Sequence, residues 1–173
     1  MIDLRTLSAQ DVYTHIEELS SVLVDCVEGG ASVSFMAGIS DKQANDFFGN
    51  VAASIQRGER MLLAAFLEGT LAGTVQIVTS MPENQPHRAE IAKLLVTRPA
   101  RGRGLGTALM RYAEELSRLA GKTLLVLDTA TGSDAERLYE RLGWTRAGAI
   151  PNYSMLPNGQ FCGTTIFWKQ ISA

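Results

Sequence analysis

Apolar residues change their period along the chain, and the changes divide it into elements. Ile2 to Leu7 alternates apolar and polar residues, which predicts a short strand. Ser8 reads as the cap of a helix in which Val12, Ile16, Leu19, Leu23 and Val27 recur at helical spacing, ended by Gly29-Gly30. Ala31 to Ile39 is an apolar loop. Ser40 or Asp41 then caps a second helix running to Gly58, with Phe47, Phe48, Val51 and Ile55 on one face. Met61–Leu67 and Leu71–Thr79 are rich in β-formers and separated by Glu68-Gly69-Thr70, a hairpin signal. A loop with two prolines leads to a strand over Ala89–Val96. Gly104–Ala120 is a helix with a stripe of Leu105, Ala108, Leu109, Tyr112, Leu116 and Leu119, stopped by Gly121. Thr123–Leu127 is a nearly continuous apolar run, as in a strand buried on both faces. Ser133-x-x-Glu136 is a capping box opening a short helix that Gly143 closes. Trp144–Ile150 and Thr164–Gln170 read as two last strands.

The order is β-α-α-β-β-β-α-β-α-β-β. Ala89 to Leu127 is strand, helix, strand, and predicts one right-handed parallel crossover. The rest can pair antiparallel. The expectation is one mixed α/β domain over residues 1–173, with a mostly antiparallel sheet, one parallel strand pair and helices on both faces. No repeat, linker or low-complexity segment interrupts it. A chain of 173 residues, 46% apolar and 20% charged, has the make-up of a soluble globular protein. Met1-Ile2-Asp3-Leu4-Arg5 lacks the apolar stretch of a signal peptide, and no run is long enough for a membrane span, so a cytoplasmic protein is expected. The net charge of −2 gives no field that favours nucleic acid or an anionic membrane. Cys26 and Cys162 are too few and too far apart for a disulfide framework or zinc site, and His15 and His87 have no metal-ligand spacing; no metal is expected.

Against that neutral background, Arg98, Arg101 and Arg103 put three guanidiniums within six residues, which suits a compact anion. They flank a strand-to-helix turn, Arg101-Gly102-Arg103-Gly104-Leu105-Gly106. Three glycines let successive N–H groups curl inward as an anion nest, and the helix adds its positive end. This is a pyrophosphate site. A GxxxxGK[ST] loop is absent. The dinucleotide fingerprint begins at Gly102-x-Gly104, with Asp128 at a suitable distance, but position 107 is Thr, and a dinucleotide site needs a larger parallel sheet than one crossover.

The pattern that fits is [Q/R]-x-x-G-x-[G/A], here Arg101-x-x-Gly104-x-Gly106, five residues after Val96. It resembles the GNAT superfamily of acetyl-CoA-dependent N-acetyltransferases, and the order of elements resembles the GNAT fold over nearly the whole chain. Gly29-Gly30-Ala31-Ser32-Val33-Ser34-Phe35-Met36, Arg88-Ala89-Glu90 and Leu156-Pro157-Asn158-Gly159 are similar to the tabtoxin-resistance branch. The resemblance implies that the strand before the glycine turn splays from its parallel neighbour. Pantetheine then pairs with backbone groups of Leu94, Leu95 and Val96, and the amides of Gly102 through Gly106 hold the pyrophosphate.

Transfer of acetyl from a thioester to an amine needs a neutral amine, a stabilised oxyanion and a protonated leaving thiolate. Glu90, four residues before Leu94, is the candidate general base, since GNAT proteins often place a glutamate there. Its apolar neighbours Ala89, Ile91 and Ala92 predict desolvation and a raised pKa. Asp128, ending the adjacent parallel strand, can share the duty. Tyr139 is the candidate acid, because a phenol stays protonated at neutral pH and can donate to the thiolate. The main-chain N–H of Leu95 is the candidate oxyanion donor. Neither cysteine has the His or Asp context of a covalent acetyl carrier. Lys93 is a substrate-binding or a structural charge. In this fold the acceptor site is usually built by the loop between the first two helices and by the last strands. Here that means Gly29–Ile39 and Pro151–Phe161, with Ser32, Ser34, Phe35 and Tyr153 as candidates. The acceptor implied is a small-molecule amine, such as an amino-acid-derived toxin or antibiotic. An acetyltransferase acting on a protein N-terminus or lysine, and a non-catalytic acetyl-CoA sensor, are the alternatives, and a homodimer stays open.

Overall fold

A computed structural model describes residues 1–172. Strands β1 (Ile2–Leu7), β2 (Arg60–Leu67), β3 (Thr70–Val78), β4 (Arg88–Val96), β5 (Leu124–Ala130), β6 (Thr145–Met155) and β7 (Phe161–Gln170) form one sheet in the order β1-β2-β3-β4-β5-β7-β6. All neighbours are antiparallel except β4 and β5. Five α-helices complete the fold: α1 (Ala9–Thr14), α2 (Ile16–Glu28), α3 (Asp41–Gln56), α4 (Leu105–Leu119) and α5 (Asp134–Arg141).

The two-residue period of β2 shows how the layers form. Leu62, Ala64 and Phe66 point into a core shared with Val12, Leu19, Leu23, Phe48 and Val51 of α1–α3. Leu63 and Ala65 point to the other face, into a core with Leu105, Leu109, Met110 and Ala113 of α4 and Tyr139 of α5. The sheet is therefore buried on both sides, and the mixed, mostly antiparallel architecture expected from the pattern is the one observed.

Three local features differ from the sequence reading. The first predicted helix is two helices, α1 and α2, broken at His15, which sits at φ −105°, ψ 18°. The hydrophobic period runs through the break, so only the His15 contacts mark it: Nδ1 lies 2.8 Å from Glu18 Oε1, and the ring stands edge-on to Phe66. In α4 the stripe ends early. Leu119 is 73% exposed, and Met110, Ala113 and Ser117 are buried instead. In the predicted capping box Ser133 Oγ does accept the Glu136 N–H at 3.2 Å, but the Glu136 carboxylate takes the N–H of Gly132.

Candidate active site

The site begins as an irregularity in β4. Thr74 of β3 faces Leu95 and Gln76 faces Ala92, so Lys93 and Leu94 together oppose Val75 alone. This is a β-bulge. Lys93 takes φ +53°, a left-handed conformation that costs a non-glycine residue energy. The bulge brings the Leu95 carbonyl close to β3, where a Cβ on Gly73 would meet it at 2.8 Å; only glycine fits there. Beyond the bulge β4 leaves its other neighbour. The parallel pairing with β5 covers only Arg88–Glu90 against Leu124–Val126, although β4 continues to Val96 and β5 to Ala130. A wedge opens between them.

The direction of the free backbone groups follows from strand alternation. The Thr97 N–H donates to Ala72 on β3, and the Val96 carbonyl accepts from Arg101 Nε at 3.2 Å on the open side. Leu95 therefore turns its N–H toward β3, while Leu94 and Val96 face the wedge. This corrects the expectation that Leu95 offers the oxyanion donor.

Two cavities meet at the wedge. One, about 690 Å³, is lined by Leu94–Val96, by the glycine turn and by α5. Gly102 (φ +74°) and Gly104 (φ +86°) are left-handed, with open space in front of both, and Gly104 caps α4. The second, about 580 Å³, is lined by Ser32 and Ser34, by Glu90 and Lys93 of β4, by Asp128 of β5, and by Tyr139 and Tyr153. Ala31, Leu94, Ser133 and Ala135 line both.

The acetyltransferase (GNAT) family profile matches residues 31–144, which contain the bulge, the glycine turn and α5. The chain belongs to the GNAT family. N-acetylaspartate synthetase of Danio rerio is 32% identical over 92 residues, 53% of this chain. The match spans 32% of that relative's length. An N-acetyltransferase from Staphylococcus aureus Mu50 superposes with TM-score 0.81 at 14% identity, covering 99% of each chain. A protein from Salmonella typhimurium, solved with its cofactor acetyl-CoA, gives TM-score 0.79 at 17% identity over 100% of this chain and 95% of that one. At such identities these two structures share the fold.

Within the GNAT framework the three arginines diverge. Only Arg101 lines the larger cavity. Arg98 is held by Asp25, through its N–H at 2.7 Å and its Nε at 2.9 Å, and Arg103 turns to Glu68 at 3.1 Å. Other cations take their place. Arg137 and Arg141 of α5 line the cavity, with Arg137 paired to Asp134. Their i,i+4 spacing was visible in the sequence, but on a charged helix it reads as a solvated face. Cys26 also lines this cavity; burial pushes its thiol up against the pull of Arg101, so it is no ready thiolate.

In the smaller cavity, Glu90 departs from its expected environment. Its side chain is 48% exposed, and Oε1 accepts from Arg88 Nη1 at 2.7 Å. Ala89 and Ile91 are buried on the opposite face of β4, so their apolar character does not desolvate the carboxylate between them. Asp128 Oδ2 accepts from Thr164 Oγ1 at 2.9 Å. Tyr139 is buried, and that burial, with the Asp128 charge adding, pushes its phenol well above its ordinary value.

The two loops expected to build the acceptor site do meet. Ser32 Oγ lies 3.4 Å from Ser154 Oγ, and the Ala37 N–H donates to the Pro157 carbonyl at 3.0 Å. Phe35 is the exception among the acceptor candidates. Its ring packs edge-on against Phe47, 5.4 Å between centroids, partly buried against the core below the loop. An apolar ring gains more there than at a polar cavity wall. Among the described residues no group of three or more His, Cys, Asp or Glu could hold a metal, and no helix is long and apolar enough to cross a membrane.

Proposed function

We propose that this protein transfers the acetyl group of acetyl-CoA to the amino group of a small molecule by direct attack in a ternary complex. The observation that carries the reading is the pair of cavities joined at Leu94. One has a glycine nest for a pyrophosphate and a strand edge unpaired with β5 for an amide-bearing arm. The other has a volume suited to a small ligand.

Pantetheine pairs with Leu94 and Val96, and the amides of Gly102 through Gly106 receive the pyrophosphate beside Arg101. The thioester then lies at the junction, beside the acceptor. A carboxylate, Glu90 or Asp128, takes the ammonium proton, directly or through water. The amine lone pair forms the C–N bond, and the oxyanion meets a free N–H on the wedge side of β4. As the intermediate collapses the C–S bond breaks, Tyr139 protonates the departing thiolate, and the extra proton on the former amine nitrogen passes to the tyrosinate through water. A phenol stays protonated at working pH, so Tyr139 begins each turnover as a donor.

The relative named for synthesis of N-acetylaspartate supports a small amine as acceptor, and an amino-acid-derived toxin or antibiotic is such a compound. The loop of residues 31–39 lies against β6 and the β6–β7 turn, so the two segments together flank the acceptor cavity. The test is release of CoA thiol from acetyl-CoA with a panel of small primary amines and of peptides. Release with small amines is expected. Release only with peptide N-termini or lysines would move the acceptor to proteins. Tight acetyl-CoA binding with no release in any mixture would make the protein a sensor.

A further inference from the structure

Among the described residues the Lys93 ammonium makes no ion pair. Burial lowers its pKa against the pull of Asp128, and no carboxylate lies within ion-pair distance of Nζ among the described residues. Its one side-chain hydrogen bond goes to the neutral hydroxyl of Ser34, at 3.0 Å. A charge partly withdrawn from water is costly unless it is paired.

The backbone is strained at both ends of that bond. Lys93 sits at φ +53° and Ser34 at φ +78°, two of the chain's four non-glycine residues in the left-handed region among those described. Strain of this kind persists where the surroundings hold it, and it clusters at functional sites. Both residues line the smaller cavity, and Lys93 is the one cation on its walls among the described residues. Glu90 and Asp128 also line it, and they are acidic. The cavity thus offers the Asp128 carboxylate, the Glu90 carboxylate already bonded to Arg88, and one ammonium, a charge pattern complementary to a zwitterion.

We infer that Lys93 and Ser34 form an anion-reading pair, and that the acceptor is an amino acid whose carboxylate supplies the missing counter-ion while its amine faces Glu90 and Asp128. The inference rests on the acetyl-transfer reading above and adds the substrate's second charged group and the residue that selects for it. Lys93 is a specificity residue, with no part in the proton transfers.

The test is steady-state thiol release by the full chain with matched triplets: proteinogenic amino acids, their carboxamides and their decarboxylated amines. Wild type should favour the carboxylate over the carboxamide by about tenfold to a hundredfold in kcat/KM, the range for a hydrogen bond to a charged group. Lys93→Gln should erase that preference through KM, with little change for the decarboxylated amine. Lys93→Arg should keep it. If Lys93→Gln melts well below wild type, Lys93→Asn replaces it, since asparagine tolerates left-handed backbone. Equal use of carboxylate and carboxamide by wild type would overturn the inference and leave acetyl transfer standing. So would a Lys93→Gln that loses activity equally on all three members. If no amine is acetylated, acetyl transfer to small amines fails. Calorimetric titration of the CoA-loaded protein with the same amino acids then decides: binding weakened by Lys93→Gln supports the pair, and no binding, or binding that Lys93→Gln leaves unchanged, overturns it.

Discussion

Single residues in the site act through the face they occupy. Tyr139→Phe keeps the buried ring and its contacts with Trp144 and Phe167 but removes the hydroxyl. Turnover should fall about 10²-fold, the low end for general acid catalysis, with melting temperature nearly unchanged. Full turnover in the Phe variant would reduce Tyr139 to packing. The base is tested by Glu90→Gln and Asp128→Asn in parallel. Each isosteric change removes basicity, so the true base should show a loss of about 10²-fold at pH 7 that shrinks at higher pH, where free amine needs no help. A loss equal at every pH would mark a positioning group. Far from the site, Glu59 is held at a pKa of about 2, against an ordinary 4.5, first by its bonds to Arg57 and then by the Ser54 hydroxyl. A lowered folded-state pKa means that the unfolded chain binds the extra proton, so this stability is present above pH 4.5 and lost as pH falls toward 2. Glu59→Gln should therefore be less stable than wild type at neutral pH and converge with it below about pH 2, as read by denaturant melts.

At the scale of elements, the glycine turn is where sequence and structure agree best. Gly104 is left-handed and caps α4, with nothing within 4 Å of where a Cβ would stand. Gly104→Val adds backbone strain and fills the space that the pyrophosphate needs. Affinity for acetyl-CoA should drop about tenfold or more, about 1.4 kcal/mol, in a folded variant measured by calorimetry. Unchanged affinity would move the pyrophosphate elsewhere. The turn was legible because its requirements are local: three glycines, a preceding strand and a following helix lie within one stretch of chain. The strands were legible for the same reason, since a two-residue period needs few residues to show. What stayed hidden depends on partners remote in sequence. Phe35 looked available for a ligand until Phe47 was seen beneath it. The arginine cluster looked like one anion site, but Asp25 and Glu68 each claim a member, and Arg137 and Arg141 enter from a helix more than thirty residues later. Glu90 shows the subtler limit. Neighbours in sequence are not neighbours in space on a strand, and its apolar flanks lie across the sheet from its carboxylate.

The whole molecule carries a seam. Strands β1–β4 and β5–β7 are joined by three paired residues on each side, at Arg88–Glu90 and Leu124–Val126. Beyond those pairs the two halves are joined through the side chains of the core beneath, so the backbone groups along the wedge are open while the halves stay packed, and amide hydrogen exchange detects such open groups. Without ligand the amides of Leu94 and Val96 should exchange quickly although they lie mid-sheet, while Leu95, bonded toward β3, stays slow. Acetyl-CoA should slow the first two and leave Leu95 unchanged; uniform slow exchange in the free protein would show the seam already closed. Because a ligand that contacts both halves binds only the folded chain, it also lowers the population of unfolded molecules that a protease can cut. The protein's lifetime against proteolysis should then rise and fall with the concentration of acetyl-CoA around it.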